Sequence, residues 1–107
     1  MKNIYIIGVG LIGGSFALDL KSLNKNTRIY GIDTNPNHLQ EALNLGVIDE
    51  KSTIDDVSNA DLVVLAIPVD KTLEILPEVL NKVNDNAVVF DAGSTKYDIC
   101  KLVENHP

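Results

Sequence analysis

Gly8-Val-Gly10-Leu-Ile-Gly13-Gly14-Ser15 follows directly on the apolar run Ile4-Tyr5-Ile6-Ile7, and an acid, Asp33, stands twenty residues past Gly13. Glycines at this spacing suit the holding of a diphosphate by backbone N–H groups. Gly8 permits a tight turn out of a strand. Gly10 lets the backbone approach a pyrophosphate with no Cβ in the way, and Gly13 lets the next helix pack close to the sheet. Leu11 and Ile12 belong to the same turn, and the N–H groups and positive dipole end of the helix face the phosphates. A carboxylate at Asp33 accepts hydrogen bonds from both hydroxyls of an adenosine ribose and repels a 2′-phosphate. No arginine follows it, because the next residues are Thr34-Asn35-Pro36. The constellation therefore points to a dinucleotide, and Asp33 favours NAD over NADP. Two plainer readings stand beside this one: a glycine-rich turn without a ligand, and an Asp33 that only caps the turn at Asn35-Pro36.

Two later segments reach the same end of the expected sheet. Ala66-Ile67-Pro68 closes the most apolar run of the chain and offers one wall for a nicotinamide, or else a simple strand-ending turn. Asp91-Ala-Gly93-Ser94-Thr95-Lys96 follows the next apolar run. Ser94 is suited to cap a helix, and its position brings it to the crevice shared with the glycine turn. No histidine or carboxylate neighbour marks it as an activated nucleophile, which excludes a serine-hydrolase arrangement. His38 and His106 read as solvated surface residues rather than metal ligands. Asp55, Asp56 and Asp61 read as a solvated acidic face.

Strands must alternate with helices to place these residues together. The strands are Ile4–Ile7, Arg28–Asp33, Leu62–Ile67 and Ala87–Asp91, with a short one near Val47–Ile48 or around Lys51–Thr53. Helices are expected from about Leu11 to Leu23, from Asn35-Pro36 to Gly46, from about Asp70 to Val83 with a break or kink at Pro77, and from Ser94 to about Asn105. This alternation implies right-handed βαβ units and a doubly wound parallel α/β sheet of strand order 3-2-1-4-5, the Rossmann fold. A sixth strand is expected only beyond Pro107. The chain thus reads as one domain, residues 1–107, cut from a longer protein, with Ala87–Phe90 left as an apolar edge that favours self-association.

Composition narrows the partners. A chain of 107 residues supports a single core. A net charge of −6 argues against general attraction to nucleic acid or an anionic membrane. Cys100 is the only cysteine, so neither an intrachain disulfide nor a cysteine-based zinc site is possible. Leu62–Val69, the longest apolar stretch, is too short to span a bilayer, and Met1-Lys2-Asn3 leads straight into a strand. A reducing cytoplasm is the expected location.

Together these segments resemble the N-terminal nucleotide-binding domain of the prephenate/arogenate dehydrogenase family. The match runs over essentially the whole chain. It is carried by Gly8 to Ser15, Gly31-Ile-Asp33 with Asn35-Pro36, Ala42 to Glu50, Ala60 to Val69, Ile75-Leu-Pro77 and Asp91 to Lys96. The doubled glycine followed by serine and the D-x-G-S-x-K pattern are the most specific parts. The resemblance implies an NAD-dependent oxidative decarboxylation in tyrosine biosynthesis, yielding 4-hydroxyphenylpyruvate from prephenate. It places Ser94 near the substrate hydroxyl and the catalytic histidine. That histidine sits in a G-G-H-P-like segment beyond Pro107; His106-Pro107 follows Glu104-Asn105 instead of paired glycines and imitates it by chance. A helical domain that completes the substrate site and forms a homodimer is likewise expected outside these residues. Arogenate as substrate, another β-hydroxyacid-type dehydrogenase and a non-catalytic nucleotide-sensing module are the competing expectations.

Overall fold

The computed structural model describes residues 2–9, 17–22 and 26–91, and every structural statement below concerns these. Five parallel strands form one sheet: β1 (Asn3–Ile7), β2 (Arg28–Ile32), β3 (Glu50–Lys51), β4 (Leu62–Leu65) and β5 (Val88–Asp91). Their order is β3-β2-β1-β4-β5, as the alternation of apolar runs required. β1 lies at the centre, with Ile7 opposite Ile32 on one side and Leu65 on the other. All three strands therefore end at the same level.

Helices cover both faces. Helix α1, whose described part is 17–22, and helix α2 (Pro36–Asn44) lie on one side. Ala17 and Ala42 there pack with Ile48 against Ile4, Ile6, Ile29 and Val64. On the other side helix α3 (Val69–Lys82) and a 3-10 turn (Ile54–Asn59) bring Leu76, Val79 and Val57 onto Tyr5, Ile7, Val63, Leu65 and Val89. Successive residues of a strand point to opposite faces, so a strand covered on both sides must be apolar throughout. β4 meets this in full: all four of its residues are buried.

Local chemistry sets the boundaries of α2. The Asn35 side chain accepts from the N–H groups of Asn37 and His38, Pro36 opens the first turn, and Gly46 leaves the helix at φ +75°. Three sequence expectations need correction. The short third strand is Glu50–Lys51, overlapping the second of the two places considered and starting one residue earlier. Both residues are exposed, so no burial pattern marks them; backbone pairing of Tyr30 with Glu50 and Gly31 with Lys51 defines the strand. The following acids form the 3-10 turn. Finally, α3 continues through Pro77 without a break. Pro77 lies on the exposed side of the helix, and Leu73, whose carbonyl would otherwise accept from position 77, is half exposed.

The acids also do more than solvate a surface. Asp61 accepts from the N–H groups of Lys2 and Asn3 at 2.8 and 2.9 Å, tying the start of β1 to the start of β4. Asp55 pairs with Lys82 of α3 at 2.6 Å.

Asp49, in the connection between α2 and β3, receives Lys21 Nζ from α1 at 2.7 Å and the Ile29 N–H of β2 at 2.8 Å. Burial pushes its carboxyl upward, but the Lys21 ammonium and the Ile29 N–H outweigh that and hold it below the usual carboxylate range. A depressed folded pKa contributes stability above the unfolded value, and that contribution is lost as pH falls through the folded value. Asp49→Asn is therefore expected to cost about 1–2 kcal/mol near neutral pH. Urea melts should show the gap between wild type and variant closing in strong acid, where wild-type Asp49 is itself protonated.

Candidate dinucleotide site

The glycine turn is clamped between two neighbouring strand ends. The Gly8 N–H donates to the Ile32 carbonyl at 2.7 Å, and the Ala66 N–H donates to the Ile7 carbonyl at 2.8 Å. Gly8 sits at φ +92°, a conformation that side chains resist. A Cβ on it would lie 2.6 Å from both the Ala66 carbonyl oxygen and Ile67 Cγ2. The sequence asked for a tight turn at Gly8, and this is one, with β4 pressed against its bare Cα.

Asp33 stands just past the end of β2. Its Oδ2 accepts the Val9 N–H at 3.1 Å, and its Oδ1 accepts the Asn35 N–H at 2.9 Å. Capping the Asn35-Pro36 turn and facing a ribose are thus compatible roles. A carboxylate offers about four acceptor positions, two are filled by these N–H groups, and the side chain stays 12% exposed. His38, expected as a plain surface residue, is half exposed but brings Nδ1 to 3.5 Å from Asp33 Oδ2. It lies in the first turn of α2, where side chains lean back toward the helix start.

On the β4 side, Ala66 and Ile67 are partly buried and Pro68 is exposed. A residue that sequence reasoning passed over holds this wall. Thr72 of α3 is fully buried, and its hydroxyl donates to the Ile67 carbonyl at 3.3 Å. Its own N–H donates to the Pro68 carbonyl at 2.9 Å. The available signal was a threonine at a position of α3 that helical spacing turns inward with Leu76 and Val79. Thr72→Val, nearly the same shape without the hydroxyl, should lower stability by about 1 kcal/mol in urea unfolding, and Thr72→Ser should restore most of it.

Gly8, Asp33, Ala66, Ile67 and Pro68 therefore meet at the carboxyl ends of adjacent strands, where open parallel sheets bind ligands. Gly10, Leu11, Ile12, Gly13 and Ser94, with the remaining residues of both motifs apart from Gly8, Val9 and Asp91, lie outside the described residues. Asp91, the first residue of the D-x-G-S-x-K pattern, is buried at the end of β5, opposite Leu65 in register. Among the described residues no cluster of histidine, cysteine or acid side chains is arranged to hold a metal ion, and no helix is long and apolar enough to cross a membrane.

A glycine turn between strand ends, an acid closing the second strand and a doubly wound parallel sheet define a dinucleotide-binding domain of the Rossmann type. Comparison with known proteins specifies the family. Residues 16–107 match the family model described as "Prephenate dehydrogenase, nucleotide-binding domain", and the chain belongs to that family. It is 38% identical over 108 residues to the prephenate dehydrogenase of Lactococcus lactis, covering 95% of this chain and 29% of the relative. It is 41% identical over 103 residues to that of Bacillus subtilis, covering 92% of this chain and 28% of the relative. The chain thus spans under a third of the length of these two relatives. Among solved structures, the Aquifex aeolicus prephenate dehydrogenase in complex with hydroxyphenyl propionate and NAD⁺ superposes with a TM-score of 0.86 at 38% identity. That alignment covers 98% of this chain and 38% of the Aquifex chain.

Proposed function

We propose that this domain binds NAD and serves as the cofactor half of an enzyme that oxidatively decarboxylates prephenate to 4-hydroxyphenylpyruvate. The observation that carries the reading is Asp33. Its carboxylate is locked by the Val9 and Asn35 N–H groups at the mouth of the glycine turn, with acceptor positions left for two ribose hydroxyls. The bare Cα of Gly8 lets the turn sit against the strand-end segment, because a Cβ there would lie 2.6 Å from the Ala66 carbonyl oxygen. The family, and the NAD⁺ bound by the Aquifex relative, support the choice of cofactor.

In this reading Asp33 holds the adenosine ribose, Gly8, Gly10 and Gly13 with Leu11 and Ile12 carry the pyrophosphate, and Ala66-Ile67-Pro68 line the nicotinamide. What the cofactor supplies when bound is a hydride acceptor. Loss of hydride from the ring carbon bearing the hydroxyl, with departure of carbon dioxide, leaves an aromatic product. Ser94 is assigned the contact with the substrate hydroxyl, on the strength of the motif it shares with the family. The hydroxyl keeps its proton in the phenol product, so the balance requires no net proton transfer. The reading extends to residues 1–107 as one domain of a longer cytoplasmic homodimer.

Calorimetry tests it directly. The chain is expected to bind NAD⁺, and NADP⁺ at least about tenfold more weakly, a difference of about 1.4 kcal/mol. Tighter NADP⁺ binding or no binding of either would overturn it. Prephenate turnover is expected from the longer protein and not from these residues alone.

A further inference from the structure

Asp33 faces not only the glycine turn but also an imidazole. His38 Nδ1 lies 3.5 Å from Asp33 Oδ2, and the His38 side chain is 51% exposed while Asp33 is 12% exposed. The backbone around the pair is fixed: Asn35 Oδ1 accepts the N–H of His38 itself at 3.4 Å, and Asp33 Oδ1 accepts the N–H of Asn35 at 2.9 Å. The ring therefore stands on the solvent side of the carboxylate that the dinucleotide reading assigns to the ribose.

Position and chemistry together give the ring a task. We infer that His38 is a second reader of the ribose 2′ position, and that its charge sets how strongly Asp33 discriminates against dinucleotides bearing a 2′-phosphate. This rests on the proposed binding of NAD at Asp33. With a neutral imidazole, Asp33 carries its full negative charge toward the 2′ position and repels a phosphate there. With an imidazolium, the pair is close to neutral, and the second ring N–H is a charge-assisted donor for a phosphate oxygen. Histidine is the side chain that makes this change between about pH 5 and pH 8.

The other charges around the ring do not perform this role. Glu41 lies one turn further along α2 and is exposed. From β3, Lys51 is engaged with Gln40 at 3.2 Å, and Glu50 is engaged with Arg28. From the turn after β1 the group that reaches Asp33 is the uncharged Val9 N–H. Asp33 is the acid within ion-pair reach of the ring among the described residues.

The test is calorimetric titration of the chain and of His38→Gln with NAD⁺ and NADP⁺ at about pH 8 and about pH 5.5, the span over which histidine changes charge. A 2′-phosphate also gains a proton in this range, so its contribution appears in both proteins and cancels between them. The preference for NAD⁺ over NADP⁺ is expected to fall on acidification about fivefold more in the wild type than in the variant, equivalent to about 1 kcal/mol. Equal pH dependence in the two proteins would overturn this inference and leave NAD binding standing. A chain that binds neither dinucleotide at either pH overturns the dinucleotide reading and this inference with it.

Discussion

Gly8→Ala is expected to lower the stability of this domain by about 3–5 kcal/mol, a large part of the roughly 5–15 kcal/mol that holds a domain of this size together. Two costs add. An L-residue at φ +92° is strained by about 1–3 kcal/mol. The new methyl would also stand 2.6 Å from the Ala66 oxygen and Ile67 Cγ2, an overpacking that costs a further 1–3 kcal/mol or so. Ile67 can turn its side chain, but the Ala66 oxygen cannot retreat. Ala66 directly follows β4, and its N–H is tied to the Ile7 carbonyl by a 2.8 Å hydrogen bond. In a domain of this length the loss amounts to a fall in Tm of about 15–25 °C, read by thermal unfolding followed by circular dichroism. Gly46→Ala is the matched comparison. It shares the positive φ, +75°, but a Cβ there meets nothing within 4 Å. It should cost only about 1–2 kcal/mol, the left-handed penalty alone. Equal losses in the two variants would show that the contact with β4 carries no weight.

The contrast between these two glycines also shows what the sequence makes legible. Gly8 was marked by its place after a buried strand and before a helix, and the turn it was expected to make is the one found. β1, β2 and β4 were visible as apolar runs because helices cover both faces of the sheet there, which removes any need for polar alternation; β5 was visible as an apolar run although Val88 and Phe90 are exposed. The strand order followed from right-handed βαβ units together with the glycine turn on the first strand. Less legible were features held by backbone geometry or by contacts between distant segments. β3 is two exposed residues with no apolar signature, defined by hydrogen bonds to Tyr30 and Gly31. Pro77 signals a helix break, yet it falls on the solvated side of α3 and breaks nothing. At the site, the capping of the Asn35-Pro36 turn by Asp33 was legible, because it depends on a neighbour two residues away. Thr72 and His38 were not. Their roles depend on how α3 and α2 begin relative to the strand ends, and a side chain leaning toward the start of its own helix leaves no mark in spacing.

Asp33→Asn should weaken NAD⁺ binding by roughly 10–100-fold and remove most of the discrimination against NADP⁺. The first number follows from replacing a charged acceptor of the ribose hydroxyls by a neutral amide, a difference of about 1.5–3 kcal/mol. The second follows from sign: the repulsion that excludes a 2′-phosphate disappears with the carboxylate, so NADP⁺ loses little or gains while NAD⁺ loses. The substitution is not a quiet one in the free protein. Val9 and Asn35 both aim N–H donors at this side chain, one at each oxygen, with distances of 3.1 and 2.9 Å. An amide has one oxygen, so one backbone donor must face an NH₂ group and lose its partner. A stability loss of about 1–3 kcal/mol is the result, and the mouth of the glycine turn loosens with it. Measuring both quantities separates the contributions. Urea unfolding gives the cost to the turn, and calorimetry with the two dinucleotides under folded conditions gives the cost to recognition. A variant that loses stability but keeps the wild-type ratio of NAD⁺ to NADP⁺ affinity would make Asp33 a structural clamp for the turn and nothing more. A changed ratio at retained fold makes the same carboxylate the element that chooses the cofactor.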